Sequence, residues 1–171
     1  MIDEVIVNRV TQSSLITLDL SDFYPNENEI VHLDIKPFLY KELMLKENDF
    51  RQYINDLNLE LYNQKYVRLF CSSDAIIPIW AYMLVVSKLN EVSKAIFYDT
   101  NAKIEQQILL YNIENYNVEN IMGKPVVIKG CGNNNIKERA YVAITQKILP
   151  YAKTIMYGEP CSTVPIYKKK K

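Results

Sequence analysis

Glycine and histidine are scarce in this chain of 171 residues, which has four glycines and one histidine, His32. No phosphate-cradling loop of the GxGxxG or GxxxxGK type occurs, so nucleotide binding has no motif to rest on. A papain-like Cys–His pair would have to recruit His32, whose plainer reading is a solvated side chain on an edge strand. Cysteine is scarce too. Three cysteines, an odd number in a chain this long, do not make a disulfide framework, and no CxxC pair supplies a local zinc knuckle. Net charge is absent: 20 basic residues balance 20 acidic ones, and no basic stripe is present for nucleic acid. A spanning hydrophobic segment is missing as well. The longest apolar run, AIIPIWAYMLVV at 75–86, is too short for a bilayer that needs ~20 residues, and it reads instead as a helix buried on all sides. The start, MIDEVIVNRV, has acids before any apolar run and no cleavage site after it, so a cytoplasmic protein is expected.

What is present is the composition of a globular domain, 49% hydrophobic and 23% charged. The reading is a single α/β domain over 1–171, with an N-terminal β/α extension (1–64), a parallel βαβ unit (65–167) and a basic tail (168–171). No repeat is evident. In the extension, EVIVNRV, SSLITLDLSDFYP and IVHLDI alternate as half-buried strands do, and short helices are expected after Pro37 and around ENDFRQYINDLN. From Lys65 the pattern is strand (KYVRLFC), helix (75–90, capped by Ser73 or Asp74, with Pro78 in its first turn), strand (KAIFYD) and helix (NAKIEQQILLYNI, with Ile104, Ile108 and Tyr111 on one stripe). Strand (PVVIKGC), helix (opened by a capping pair, Asn135 and Glu138) and strand (KTIMYG) complete it. Alternating strands and helices, with apolar runs for strands, predict one mostly parallel, Rossmann-like three-layer sheet flanked by helices.

That architecture gives the cysteines a shared role. Cys71 and Cys131 follow the first and third strands of the unit, and Cys161 follows the fourth, in the stiff stretch YGEPCSTVPIY. Strands of one parallel sheet share a C-terminal edge, so the three thiols are expected along one rim, with Cys71 and Cys131 facing each other across the crevice where ligands bind. Gly130 and Gly132 let the backbone beside Cys131 approach a ligand, and the helix that follows favours a thiolate. The expected metal ligands are Cys71, Cys131, Cys161 and the oxygens of Glu159 or Asp74. Thiolates suit an iron–sulfur cluster or zinc. Two alternatives stand beside this: a thiol enzyme or persulfide carrier with Cys131 as its nucleophile, and an interaction or structural protein whose cysteines only pack. The lysines at 168–171 read as a solubilising tail, and the apolar run at 75–86 suits a homodimer interface as well as a core.

Five separated segments, VIVNRV…LITLDLSDFYP, DIKPFLYKELMLKENDFR, KYVRLFCSSDAIIPIWAYML, VVIKGCGNNNIKERAYVAIT and MYGEPCSTVPIYK, together resemble a bacterial family, domain of unknown function 2480, over nearly the whole chain. The resemblance implies an association with iron–sulfur cluster assembly, and so assembly proteins as partners. It implies no catalytic residue.

Overall fold

The computed structural model describes residues 14–100, 103–130, 136–159 and 161–170. The expected α/β class with mostly parallel strands is what forms, but in two sheets rather than one. The chain divides into two compact units: an insert unit over Pro25–Ile108, and a split unit made of residues before Pro25 and after Ile108. The expected strand EVIVNRV lies outside the described residues.

The insert unit contains β2 (Ile30–Asp34), α1 (Glu47–Asn55), β3 (Tyr66–Phe70), α2 (Ile79–Leu89) and β4 (Ala95–Tyr98), with the parallel sheet order β2-β3-β4. Val67 and Leu69 of β3 point into a core with Leu33, Phe50, Ile54, Ala81, Val85 and Leu89. The split unit contains β1 (Ile16–Asp19), β5 (Pro125–Lys129), α4 (Glu138–Ile148), β6 (Thr154–Glu159) and β7 (Ser162–Lys168), in the order β1-β5-β6-β7. β1, β5 and β6 run parallel, and β7 folds back antiparallel on β6. Its core joins Leu18, Val126, Ile128, Ile144, Ile148 and Ile155. The helix α3 (Ile104–Glu114) spans the division in sequence; Leu109 and Ile113 belong to the split unit's core.

The two units follow one plan, and the expectation of no repeat is overturned. Each builds a sheet from a first strand, a middle strand and a third strand, with an α-helix before the middle strand and another after it. Beyond the first strand the correspondence is a constant shift of 59: Leu89 matches Ile148 (148−89), and Tyr98 matches Tyr157 (157−98). Backbone hydrogen bonds repeat under that shift. Gln64 N–H donates to Val92 O at 2.8 Å and Gly123 N–H to Tyr151 O at 2.9 Å; Lys94 N–H donates to Lys65 O at 2.8 Å and Lys153 N–H to Lys124 O at 2.9 Å. Gln64 and Gly123 both hold left-handed backbone, at φ 55° and 69°. Asn58 and Asn117 each accept from the N–H two residues on. The buried stripes agree too: Ala81, Val85 and Leu89 on α2 against Ala140, Ile144 and Ile148 on α4. For the first strand the shift is 15. Leu18 pairs with Ile128 as Leu33 pairs with Leu69, and LDLSDF (18–23) corresponds to LDIKPF (33–38).

Helix ends differ from expectation in instructive ways. Pro78 takes the N-cap position of α2 rather than its first turn, because its fixed φ (−59° with ψ 138°) leads extended chain into the helix. Neither Ser73 nor Asp74 caps it; Ser73 Oγ instead donates to Glu42 O and accepts from Ala75 N–H. The N-cap of α4 is Lys137, with no side-chain cap; Asn135 of the expected capping pair lies outside the described residues. After Pro37 the chain makes a single 3-10 turn, Lys36–Phe38, in place of a helix.

Candidate functional site

The C-terminal edges of the two sheets are where the plan places chemistry, and the two are unlike. In the insert unit, Asp34 ends β2. Its carboxylate accepts from Lys36 N–H at 2.9 Å, Ser72 N–H at 2.9 Å and the Ser72 hydroxyl at 2.5 Å. Burial pushes the Asp34 carboxyl up, but these donors together outweigh it and hold the group below its ordinary value. Cys71, between Phe70 and Ser72, is half-buried and packs against the unit's core. In the same unit the rings of Tyr82 and Tyr98 meet edge to face, with centroids 5.2 Å apart. Burial, with Tyr98 and Cys71 nearby, pushes the Tyr82 phenol up to about 12.

In the split unit, Asp19 ends β1 as Asp34 ends β2. It accepts from Ser21 N–H at 2.9 Å and the Ser21 hydroxyl at 2.6 Å, and it pairs with Lys129 at 3.0 Å. The tyrosine pair is repeated by Tyr141 and Tyr157, with centroids 5.7 Å apart and nearly perpendicular. The Tyr141 phenol lies over Gly130, where a Cβ would run into its oxygen; the insert unit has Cys71 at that position. Tyr141 and Tyr157 line a cleft of about 270 Å³ with Ile128, Thr145 and Ile166. Ile166 comes from β7, an element without a counterpart in the described part of the insert unit.

These facts revise the expected rim. Cys71 closes a strand of the three-stranded sheet, while Cys161 stands in the turn joining β6 to β7 of the four-stranded one. The single sheet that was to gather all three thiols does not exist, because β3 takes β2 and β4 as neighbours and β5 takes β1 and β6. Cys131 lies outside the described residues. Cys161 and Glu159 are exposed at the hairpin, and Asp74 is exposed in the segment before α2. His32 is exposed on β2 with its ring edge-on to Phe70, as the solvated reading had it. Among the described residues, no three His, Cys, Asp or Glu side chains come together in a way that could hold a metal ion. No helix of the described chain is long and apolar enough to cross a membrane.

Sequence reasoning missed the two strand-ending aspartates and the two tyrosine pairs. Their signal was present as the double occurrence of L-D-(L/I)-x-x-F and of K-x-I-x-Y, at 94–98 and 153–157.

No curated protein and no solved structure matches the chain. Residues 4–169 match a family described as "Protein of unknown function (DUF2480)". With nearly its whole length matched, the chain belongs to the DUF2480 family.

Proposed function

We propose that the split unit carries a two-thiol site, Cys131 with Cys161, which holds a thiophilic metal or an iron–sulfur cluster in transit as an accessory to its delivery. One observation carries the reading. β5 and β6 are neighbouring parallel strands with Ile128 opposite Tyr157, so both chains leave the sheet at the same edge. Cys131 follows Ile128 by three residues, and Cys161 follows Tyr157 by four. Two thiolates with the exposed carboxylate of Glu159 make an open ligand set, suited to passing a metal on rather than to locking it in. Cys71 and Asp74 have no part in this site.

The test is anaerobic loading with zinc, or with iron and sulfide. About one equivalent is expected on the wild type, with loss in Cys131→Ser and in Cys161→Ser and retention in Cys71→Ser. Uptake that ignores both substitutions, or no uptake at all, overturns the reading.

A second reading is favoured by the cleft beside this edge: Cys131 as a persulfide carrier. Its thiolate attacks the outer sulfur of a donor persulfide, the donor leaves as a thiolate, and the new S–S bond rests on Cys131. Mass spectrometry after treatment with an inorganic polysulfide distinguishes it, since a persulfide on Cys131 with no metal uptake selects this reading over the first.

A further inference from the structure

The shared plan puts a lysine just before two strands of each unit: Lys65 and Lys94 in the insert unit, Lys124 and Lys153 in the split unit. In the insert unit both are engaged. Lys94 pairs with Glu29 at 2.6 Å, and Lys65 donates to Asn28 O at 2.7 Å. The split unit has Ser14 where the shift of 15 places Glu29 (29−15), so that acid is missing. More cation comes in its place. β7 returns to the edge where β5 and β6 begin, with Lys168 opposite Thr154 and Lys169 N–H donating to Lys153 O at 3.0 Å; Lys153 N–H in turn donates to Lys124 O at 2.9 Å. Lys124, Lys153 and Lys169 are thus backbone neighbours across three strands, with Lys168 and Lys170 next in the chain. Among the described residues, none of these five side chains makes an ion pair or a hydrogen bond. Glu119, in the turn before Lys124, accepts instead from the Asn117 amide at 3.2 Å. The same edge exposes apolar side chains. Met122 (58% exposed), Leu149 (40%) and Tyr151 (40%) stand in the turns that lead into β5 and β6, which the Gly123 N–H to Tyr151 O bond joins at 2.9 Å. The insert unit has Asn63 and Asn90 at the places of Met122 and Leu149 (122−59 and 149−59), so the fold requires neither apolar group. Exposed apolar side chains elsewhere lack that company: the run at 75–86, expected to be buried all round, exposes Ile79 and Met83, and Lys88 is the one cation of α2.

We propose that this edge of the split unit docks on an anionic lipid surface, with the lysines among the headgroups and Met122, Leu149 and Tyr151 entering the boundary beneath them. Three features select lipid. All five cations are lysine, a compact point charge without arginine's planar fork, suited to a diffuse negative surface rather than to one carboxylate, one phosphate or a base edge. Lysine is also depleted from protein–protein interfaces. Met122 and Leu149 gain nothing from a phosphate backbone in water, but at a bilayer they reach an apolar phase, and tyrosine concentrates at that interface. Charge attraction and shallow apolar burial are each marginal alone, and firm attachment takes both. The chain's formal net charge is zero, so the positive field belongs to this edge and not to the whole molecule. The β6–β7 turn with Cys161 lies at the other end of the same strands, so docking leaves that thiol facing away from the lipid.

Sedimentation of the full-length protein with vesicles reads the outcome. Vesicles of phosphatidylcholine with about one third phosphatidylserine are expected to carry the protein down. Vesicles of phosphatidylcholine alone should leave it in solution, and rising salt should release it from the anionic ones. Lys153→Ala should weaken binding about five-fold and Lys153→Glu about 25-fold. Met122→Asn combined with Leu149→Asn, which copies the insert unit, should weaken it about ten-fold, with circular dichroism at the wild-type level. Lys65→Ala, at the counterpart of Lys124 in the insert unit, should leave binding unchanged. Equal sedimentation with both kinds of vesicle overturns the proposal, as does none with either at low salt. So does binding that ignores Lys153→Glu, or that ignores the asparagine pair. So does a protein that passes over the vesicles and is retained by single-stranded RNA or by polyglutamate, which would assign the lysines to a nucleic acid or to an acidic protein.

Discussion

The insert unit and the split unit are built alike where burial decides and differently where it does not. Their inner helix stripes, strand registers and connecting hydrogen bonds coincide position by position, although only 12 of the 52 aligned residues from 47–98 and 106–157 are identical (98−47+1 = 52). The differences fall at the sheet edges and on the outer helix faces: cysteine against glycine at 71 and 130, serine against cysteine at 72 and 131, and an apolar against a mixed outer stripe. The split unit adds a strand, β7. What a shared plan holds constant is the fold. What it lets drift apart are the residues at the sheet edges and on the outer helix faces.

The strongest challenge to that comparison is to delete the same core residue twice. Leu89 and Ile148 hold equivalent places and are both fully buried. Leu89→Ala and Ile148→Ala should each cost about 2–5 kcal/mol, and the two costs should agree to within about 1 kcal/mol if the surroundings are equivalent. Hydrogen exchange should show β3 and β4 losing protection in the first variant and β5 and β6 in the second. The same loss everywhere in both variants would break the description of two separate cores.

A next step down in size concerns Gly158, which the insert unit lacks. Its φ is +120°, and a Cβ there would lie 2.6 Å from Ser162 O. Gly158→Ala should cost about 1–3 kcal/mol and loosen the β6–β7 turn that holds Cys161, raising the alkylation rate of Cys161 while that of Cys71 stays unchanged. An unaltered Cys161 rate would separate the thiol from the hairpin geometry.

Subtler still is the left-handed residue before each middle strand. The split unit uses Gly123, and the insert unit makes do with Gln64. Nothing lies within 4 Å of a Cβ added at Gly123, so the cost of a side chain there is backbone strain alone. Gln64→Gly should raise stability by up to about 1 kcal/mol and Gly123→Gln should lower it by a similar amount, measured by urea unfolding. Changes of the same sign would show that the two turns are not equivalent.

Much of this was legible in the chain. Strands at KYVRLFC and PVVIKGC follow from apolar runs, and α1 and α3 from their spacing, because burial imposes both patterns locally. The partition into two sheets was not legible. An apolar strand does not name its neighbour, and β1 reaches β5 across the entire insert unit. The repeat was hidden because its first strand is shifted by 15 and the remainder by 59, so no single period runs through the chain. No strand was legible at β7, since Pro165 withholds a ladder hydrogen bond; the chain accommodates it on an edge strand, next to a register irregularity opposite Ile155 and Met156. The site suffered most. Once the sheet is divided, the edge thought to be common to three thiols is common to two strand ends, and the carboxylates and tyrosines that furnish it are residues whose plain sequence reading is surface and packing.

The smallest effect tests the strand-ending aspartates, and its sign is fixed. Burial, the largest single influence on each, raises the Asp19 and Asp34 carboxyls, while the Ser21 and Lys129 donors in one unit and the Ser72 and Lys36 donors in the other lower them further. Both folded values therefore lie below the ordinary 3.8. A carboxyl depressed by folding contributes stability that is fully present above the unfolded value and fades as pH falls through the folded one. Both groups are only half-buried, so solvent screening keeps the contribution modest. Asp19→Asn and Asp34→Asn should each lose a little stability at neutral pH, and the double variant should show a flatter decline in melting temperature than the wild type as pH drops below 3.8. If one substitution flattens the acid limb and the other leaves it untouched, the two edges differ electrostatically as well as in their cysteines, and the shared plan ends at the backbone.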